Sequence, residues 1–543
     1  MAGRARRALT ALALLAASVA ASLVLGDLLF RLYERAFLIE EVRIGATDFD
    51  LEKLGYNDAY GNVPAAKPPD EFRILSFGDS FAESATRGQY AYAQVLADAL
   101  AESSGRPVRV VNFGISRSTL QDYVQEERTW GERVQHDAVL FNLYTGNDFA
   151  EVPQHALFAP GIARAPLRKG GDDVRLVGPG MEVPRRYPLR FLDYALAMYI
   201  TYRQPAFARG LVYRDRMPFA PRAYYIRTQS RAAAYYEVAS LERVYAGTLY
   251  GLDALISRAA ALERQGVRVA LSVAPPDFAV SPQWLEAVLA ELGLQESALR
   301  FDLPEQIVAG IAARRGFQGP IVVFHACLRE AEAAGQDTYW ETNTHWSARG
   351  NEIVGRVFAE RLAAAWDLGA GRVETGEPPP PCNSEPPAPG PEVLRWLDVA
   401  LPRLDAAARL RNQVGAALAG KRLADFDAVA GALSRAGLRH ETARFEGHVA
   451  SATPEGVGRV RVGVSGVVRD PSDAQGWRLV AMLREGSLRG IGLVTPESAA
   501  DGVPGGFAFD LLDDVASPRW NADALAVVVA PDGAFAELPF APY

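Results

Sequence analysis

From about Glu71 the chain alternates between short, almost wholly apolar runs and stretches with helical spacing. FRILSF (72–77), VRVVNF (108–113), AVLFNLY (138–144), VRVALSV (267–273) and IVVF (321–324) carry too few polar positions for half-exposed strands and read as strands buried on both faces. Between them 92–102, 120–132 and 250–264 place their apolar residues at helical intervals. Strands alternating with helices imply an α/β domain built on a parallel sheet with helices on both faces, spanning about 71–368. A stretch from about 151 to 236, rich in Pro, Arg and Tyr, breaks the rhythm and reads as a large insertion over the substrate cleft. Its tyrosines, among them Tyr224, Tyr225, Tyr235 and Tyr236, suit either stacking on sugar rings or internal packing.

Beyond Asp367 the pattern stops. Residues 369–392 are dominated by Pro and Gly and predict an extended linker with no core of its own. Helical spacing with many alanines returns over 393–444, and 445–543 contains strand-like runs divided by Gly, Pro and Asp turns, as in a small β-sandwich. At the other end Arg4, Arg6 and Arg7 precede an uncharged apolar stretch ending at Gly26, near the ~20 residues that cross a bilayer as a helix. With the positive flank first, 1–26 predicts a single-pass anchor in the inner membrane, with the bulk of the chain in the periplasm or otherwise outside the cytoplasm. Small residues over 17–22 also suit the cleavage site of a signal peptide. The juxtamembrane segment 27–70 opens amphipathically, with Leu28, Leu29, Leu32 and Phe37 against Arg31, Glu34 and Arg35.

Composition adjusts this picture little. The 543 residues are 49% hydrophobic and 22% charged, enough to bury large cores. The net charge of −8 and the lack of a basic run after the first seven residues argue against nucleic acid as a partner. Cys327 and Cys382 are too few for a disulfide scaffold; outside the cytoplasm they either close one bridge that pins the linker or remain two thiols. No His, Cys, Asp or Glu set has metal-ligand spacing, and no cofactor is expected.

Reactive groups in parallel sheets gather beyond the carboxyl ends of the strands. There the first strand is followed by Gly78-Asp79-Ser80, the second by Gly114, and the third by Gly146-Asn147-Asp148. Each is also a good turn or helix-start sequence, with Asp79 and Asp148 suited to bracing loops through backbone hydrogen bonds. Taken together they offer a hydroxyl nucleophile, Ser80, and three donors for an oxyanion: the N–H groups of Ser80 and Gly114 and the amide of Asn147. His345, just ahead of the helix NEIVGRVFAERLAAAW, is the best placed of six histidines to act as base, with His325 its main competitor.

These four blocks, in this order, resemble the SGNH (GDSL-type) hydrolase family: Gly-Asp-Ser at 78–80, Gly114 after the second strand, Gly146-Asn147-Asp148 in place of Gly-x-Asn-Asp, and a late His345-Trp346. The resemblance covers roughly 71–366 and implies a flavodoxin-like three-layer αβα sandwich, with Ser80 as nucleophile, His345 as base, and Gly114 and Asn147 in the oxyanion hole. Membrane-tethered members with an Asp-x-His-Trp block resemble the O-acetylation proteins of bacterial exopolysaccharides. That implies acyl esters of a surface or exported glycan as substrate, hydrolysis or O-acyl transfer as reaction, and an acyl-donor partner in the membrane. The sequence departs from the pattern at one place, where Asn343 stands for the acid ahead of the histidine. An Asn can orient an imidazole through its carbonyl oxygen but supplies no charge, with Glu341 and Asp337 as nearby substitutes, so a weakened glycan-binding relative is the alternative expectation.

Overall fold

A computed structural model describes residues 14, 18–19, 21–32, 40–43, 66–151 without 85, 87–89, 116–117 and 147, 174–177, 189, 222–368 without 341–342, and 382–540 without 442–443, 456–459, 470–476, 486, 495–505 and 514–523. Five parallel strands form the central sheet: β1 (Phe72–Phe77), β2 (Val108–Asn112), β3 (Ala138–Tyr144), β4 (Arg268–Ala274) and β5 (Ile321–Val323), in the order β2-β1-β3-β4-β5. The apolar runs form strands because both faces are covered, and successive side chains enter opposite cores. Leu75, Phe77, Val139, Phe141, Leu271 and Val273 face one layer, while Phe72, Ile74, Ala138, Leu140, Ala270 and Val322 face the other.

The first layer holds α3 (Leu120–Gly131), α6 (Leu241–Arg264) and α9 (Leu303–Arg315). The second holds α2 (Tyr92–Ser104), α10 (His325–Ala333) and α11 (Ala348–Ala365). This is an α/β domain of three layers, as the alternation predicts. The short helices α1 (Ser80–Glu83), α4 (Asp148–Glu151) and α7 (Asp277–Val280) leave the carboxyl ends of β1, β3 and β4. Two further helices, α5 (Arg222–Ala233) and α8 (Pro282–Leu292), pack against each other beside α7.

Most of the expected insertion lies outside the described residues. Its end does not: Tyr225, Tyr235 and Tyr236 are buried in the first core, and the Tyr236 hydroxyl meets Thr145 Oγ1 at 2.6 Å. Sugar stacking is thereby ruled out for these three, because their rings are already covered and their tips already bonded; the Tyr224 side chain lies outside the described residues. A small ribbon pairs Glu40–Arg43 antiparallel with Val174–Val177.

The expected linker is not free chain where it is described. Cys382 is bonded to Cys327 on α10, Ser384 O accepts from Val323 N at 3.0 Å, and Gly390 N donates to the Gln306 side chain at 2.8 Å. The segment therefore covers the open edge of β5, a row of backbone groups that would otherwise be unpaired. Helix α12 (Pro391–Leu418) follows at once, with Pro391 at its first turn, where the missing N–H costs nothing. Its first half buries Val393, Leu397 and Leu401 in the α/β core; its second half buries Leu410, Val414 and Leu418 against α13 (Phe426–Arg435) and the carboxyl-terminal strands.

Those strands are β6 (Arg439–His440), β7 (Glu446–Glu455), β8 (Val460–Arg469), β9 (Arg478–Arg484), β10 (Ser487–Val494), β11 (Gly506–Asp513), β12 (Ala524–Val529) and β13 (Ala534–Leu538). They make one sheet ordered β11-β8-β7 and another ordered β10-β9-β12-β13-β6. Alternation along β9 shows the logic: Val480 and Met482 enter the core between the sheets, while Leu479, Ala481 and Leu483 meet the helices.

Most of the expected membrane-spanning segment, residues 1–26, lies outside the described residues. Among the described residues no helix is long and apolar enough to cross a membrane. Within the helical residues 21–32, Asp27 and Arg31 form an ion pair. The residues of 1–26 that lie outside the described ones are 1–13, 15–17 and 20.

The bridge between Cys327 and Cys382 closes a loop of 55 positions that carries the edge cover. Replacing both cysteines with alanine is expected to lower unfolding free energy by about 2–4 kcal/mol, measured from denaturant midpoints under non-reducing conditions.

Candidate active site

Gly78 lets the chain turn sharply from β1 into α1, since a Cβ there would lie 2.5 Å from the Ala82 Cβ. Asp79 caps the turn by accepting from Phe81 N at 2.8 Å, and Ser80 opens the helix partly exposed. The loop after β2 is drawn onto the same helix: Asn112 Nδ2 donates to Ala82 O at 2.6 Å, and a Cβ on Gly114 would lie 2.4 Å from Glu83 N. Gly114 is thus fixed as glycine by close backbone approach. Its N–H donates to Asn112 Oδ1 at 3.1 Å, so an incoming oxyanion would have to share that donor or take it over. After β3, Asp148 accepts from Tyr123 Oη at 2.8 Å and from Tyr144 N at 2.9 Å. Asn147 lies outside the described residues.

His345 arrives from the far end of the domain. Its ring stacks on Phe81, the neighbour of Ser80, with centroids 5.1 Å apart; Phe81 also stacks on Tyr144 and meets Trp346 edge-on. Both His345 N (3.0 Å) and Nδ1 (2.6 Å) are bonded to Asn343 Oδ1. An atom that receives a backbone N–H is the amide oxygen, so Nδ1 carries the imidazole hydrogen and Nε2 keeps its lone pair. That is the tautomer a general base requires. Nε2 is shut off from solvent and has no hydrogen-bond partner among the described residues, Ser80 Oγ included. Bonds of this kind are often open in resting enzymes and close only with substrate. Burial pulls the imidazole down to about 4, with no nearby charge to oppose it.

The other candidates separate clearly. His325 opens α10 with Nε2 on Ala279 O at 2.9 Å and its ring stacked on Phe301, away from Ser80's helix. Asp337 is exposed and contributes its backbone carbonyl to Ser347 Oγ at 2.6 Å, so it does not replace the missing acid; Glu341 lies outside the described residues. Among the described residues no three His, Cys, Asp or Glu side chains gather in a cluster suited to a metal ion.

One residue that sequence reasoning missed ties the two halves together. Asn351, buried in the first turn of α11, accepts from Tyr92 N (3.0 Å) and Ser84 Oγ (3.2 Å) on the nucleophile side. Its Nδ2 donates to Trp346 O (3.2 Å) and Ser347 O (2.9 Å) on the histidine side. Ser84, four residues after Ser80, sits at φ 70° and ψ 145°, a conformation essentially reserved for glycine. Its bonds to Asn351 and to Thr86 Oγ1 (3.0 Å) hold it there.

No family model and no curated protein matches the chain. Among solved structures it is similar to an α/β hydrolase from the metagenome of Lake Arreo, Spain, at 15% identity over 55% of this chain and 96% of that one, with a TM-score of 0.28. A catalytic mutant of an acetylxylan esterase from Geobacillus stearothermophilus gives 16% identity, 54% and 94% coverage and a TM-score of 0.27. A lipase/acylhydrolase from Enterococcus faecalis gives 11%, 56% and 100%, and 0.23. Likenesses this slight do not bear on the chemistry, which rests on the residues themselves.

Asn351→Leu keeps the volume but removes the side-chain partner of Tyr92 N and Trp346 O, and takes one bond each from Ser84 Oγ and Ser347 O, which keep Thr86 Oγ1 and the backbone N–H of residue 351; it is expected to cost at least about 2 kcal/mol by denaturant unfolding. Asn351→Asp, which aims a carboxylate oxygen at the carbonyls of Trp346 and Ser347, should be the worse of the two at neutral pH and recover part of the loss in acid.

Proposed function

We propose that this protein is a serine esterase acting on acyl esters, acetyl above all, of a surface or exported glycan. The observation that carries the reading is the stack of His345 on Phe81 with Nδ1 tied to Asn343 Oδ1, which brings a correctly protonated imidazole beside the helix that Ser80 opens. In this mechanism Ser80 Oγ attacks the ester carbonyl as His345 Nε2 takes its proton. The N–H groups of Ser80 and Gly114 and the Asn147 amide receive the negative oxygen, and the imidazolium returns the proton to the leaving alkoxide. The acyl-serine then passes to water or, in a transferase, to a sugar hydroxyl. The N-terminal segment is proposed to hold the protein at the inner membrane with this domain outside the cytoplasm, where a membrane partner would supply acyl groups.

The other reading is a glycan-binding protein with a weakened site. It draws on Asn343, which leaves the imidazolium without a countercharge, and on the open Ser80 to His345 gap. Hydrolysis of a simple acetyl ester separates the two. Ser80→Ala and His345→Ala should each lower kcat by at least ~10³-fold with the fold retained; equal background rates for wild type and Ser80→Ala would sink the esterase reading.

The charge argument gives a second expectation. Because His345 is held near 4, the base form dominates above about pH 5 and the acid limb of kcat/KM should lie near pH 4. Asn343→Asp places an anion on Nδ1, favours the imidazolium and raises its pKa, so the limb should move to higher pH while kcat at neutral pH rises by about tenfold or more. A pH profile left in place would show that Asn343 does not govern His345.

A further inference from the structure

Asp277 stands directly beyond the carboxyl end of β4, on the same edge as Ser80, and is 2% exposed. Its Oδ2 lies 2.5 Å from the hydroxyl of Tyr225, itself 2% exposed, and that hydroxyl lies 3.3 Å from the backbone carbonyl of Asn343. The three groups form a line from a buried carboxyl, through one phenol, to the residue that holds His345. We propose that Asp277 is a positioning residue of the active site, working in its neutral form: its carboxylic hydrogen is donated to Tyr225 Oη, which frees the Tyr225 hydrogen for Asn343 O. This rests on the esterase reading of the site and deepens it.

Counting protons supports the assignment. A phenol has one hydrogen. If Asp277 were ionised, Tyr225 would spend that hydrogen on the carboxylate at 2.5 Å, and the Asn343 carbonyl would face a lone pair. With Asp277 neutral, each of the three oxygens takes part in a bond with a hydrogen in it. Burial also pushes the Asp277 carboxyl well above the usual carboxylate range; the Tyr225 hydrogen bond opposes this, and the charge of Glu332 adds to it. Among the described residues Glu332 on α10 is a charged group acting on Asp277, and the phenols of Tyr144, Tyr225 and Tyr339 are titratable groups within its field. Those phenols are themselves pushed well above their ordinary value by burial, and the proton whose loss matters to this line of bonds is that of Asp277. Ionisation then withdraws the Tyr225 hydrogen from Asn343 and loosens the loop under His345.

The test uses the full-length protein and two readouts. In proton–nitrogen spectra of labelled imidazoles, the Nδ1–H resonance of His345, identified by its loss in His345→Gln, reports the Asn343 bond without any turnover. Tyr225→Phe should shift or broaden this resonance and lower kcat by about tenfold with KM unchanged, the size expected of a displaced base. Asp277→Asn, whose amide can donate to Tyr225 but cannot ionise, should leave the resonance in place, hold kcat within about twofold, and abolish the loss of activity on the alkaline side. The proposal is overturned if Tyr225→Phe leaves the resonance unmoved, or if Asp277→Asn moves it as far as Tyr225→Phe does or keeps the alkaline limb. Should no Ser80-dependent turnover be found, a resonance that moves in Tyr225→Phe and stays in Asp277→Asn upholds the chain of bonds and removes the esterase reading alone.

Discussion

The arrangement of this site depends on one buried amide. Asn351 has two donors and two acceptor lone pairs, and each is directed to a group on one of two segments far apart in the chain. The nucleophile helix comes from the first strand and the histidine loop follows the last, so neither can be placed by local structure. An apolar side chain of the same size would fill the space but take a bond from each of four polar groups, and would leave the buried Tyr92 N–H and the Trp346 carbonyl without the partner that Asn351 gives them. The strained conformation of Ser84 has the same origin: a conformation costing about 1–3 kcal/mol persists because its hydroxyl is held on both sides.

Electrostatically the site is unusual for what it lacks. In a serine hydrolase with an acidic orienter, the anion both sets the tautomer and stabilises the imidazolium that forms as the serine attacks. Here Asn343 does the first and not the second, and burial works against the charged state. The acid nearest to this role, Asp277, is reached through a phenol and is pushed toward its neutral form, so it can fix position but contributes little field. A base that is always available yet costly to protonate favours proton pick-up only when the oxyanion is well held, so the proposed esterase would depend most on the donors assigned to Ser80, Gly114 and Asn147.

Much of the α/β domain was legible because its strands are apolar on both faces and its strand ends carry Gly, Ser and Asn, residues whose placement follows from topology. Ser80 and His345 stand out in the sequence only when their positions, at a strand end and ahead of a helix, are taken together with the order of the four motif blocks. Asn351 and Asp277 do not: each sits in an ordinary helix start, and its importance comes from partners more than fifty residues away in sequence, as with Tyr225 and Asp277. Tyr235 and Tyr236 illustrate an ambiguity, where aromatic residues in a polar-looking segment suit either a binding surface or a core, and only burial, which here places them in the core, decides between the two. The described part of the Pro-rich segment is extended and without a core of its own, and only the structure shows that it meets the edge of β5, where Ser384 O accepts from Val323 N.

Helix α12 changes how the carboxyl-terminal sheets should be regarded. A flexible linker would let them act as a module tethered at some effective concentration near the site. Instead one continuous helix buries its first half in the α/β core and its second half under the sheets, and Arg314 and Arg315 on α9 add ion pairs to Asp398 and Asp405 along it. Exposed pairs of this kind contribute little energy, so the apolar contacts set the rigidity. The sheets are therefore packed onto the α/β domain through a shared helix and are not a module tethered by free chain.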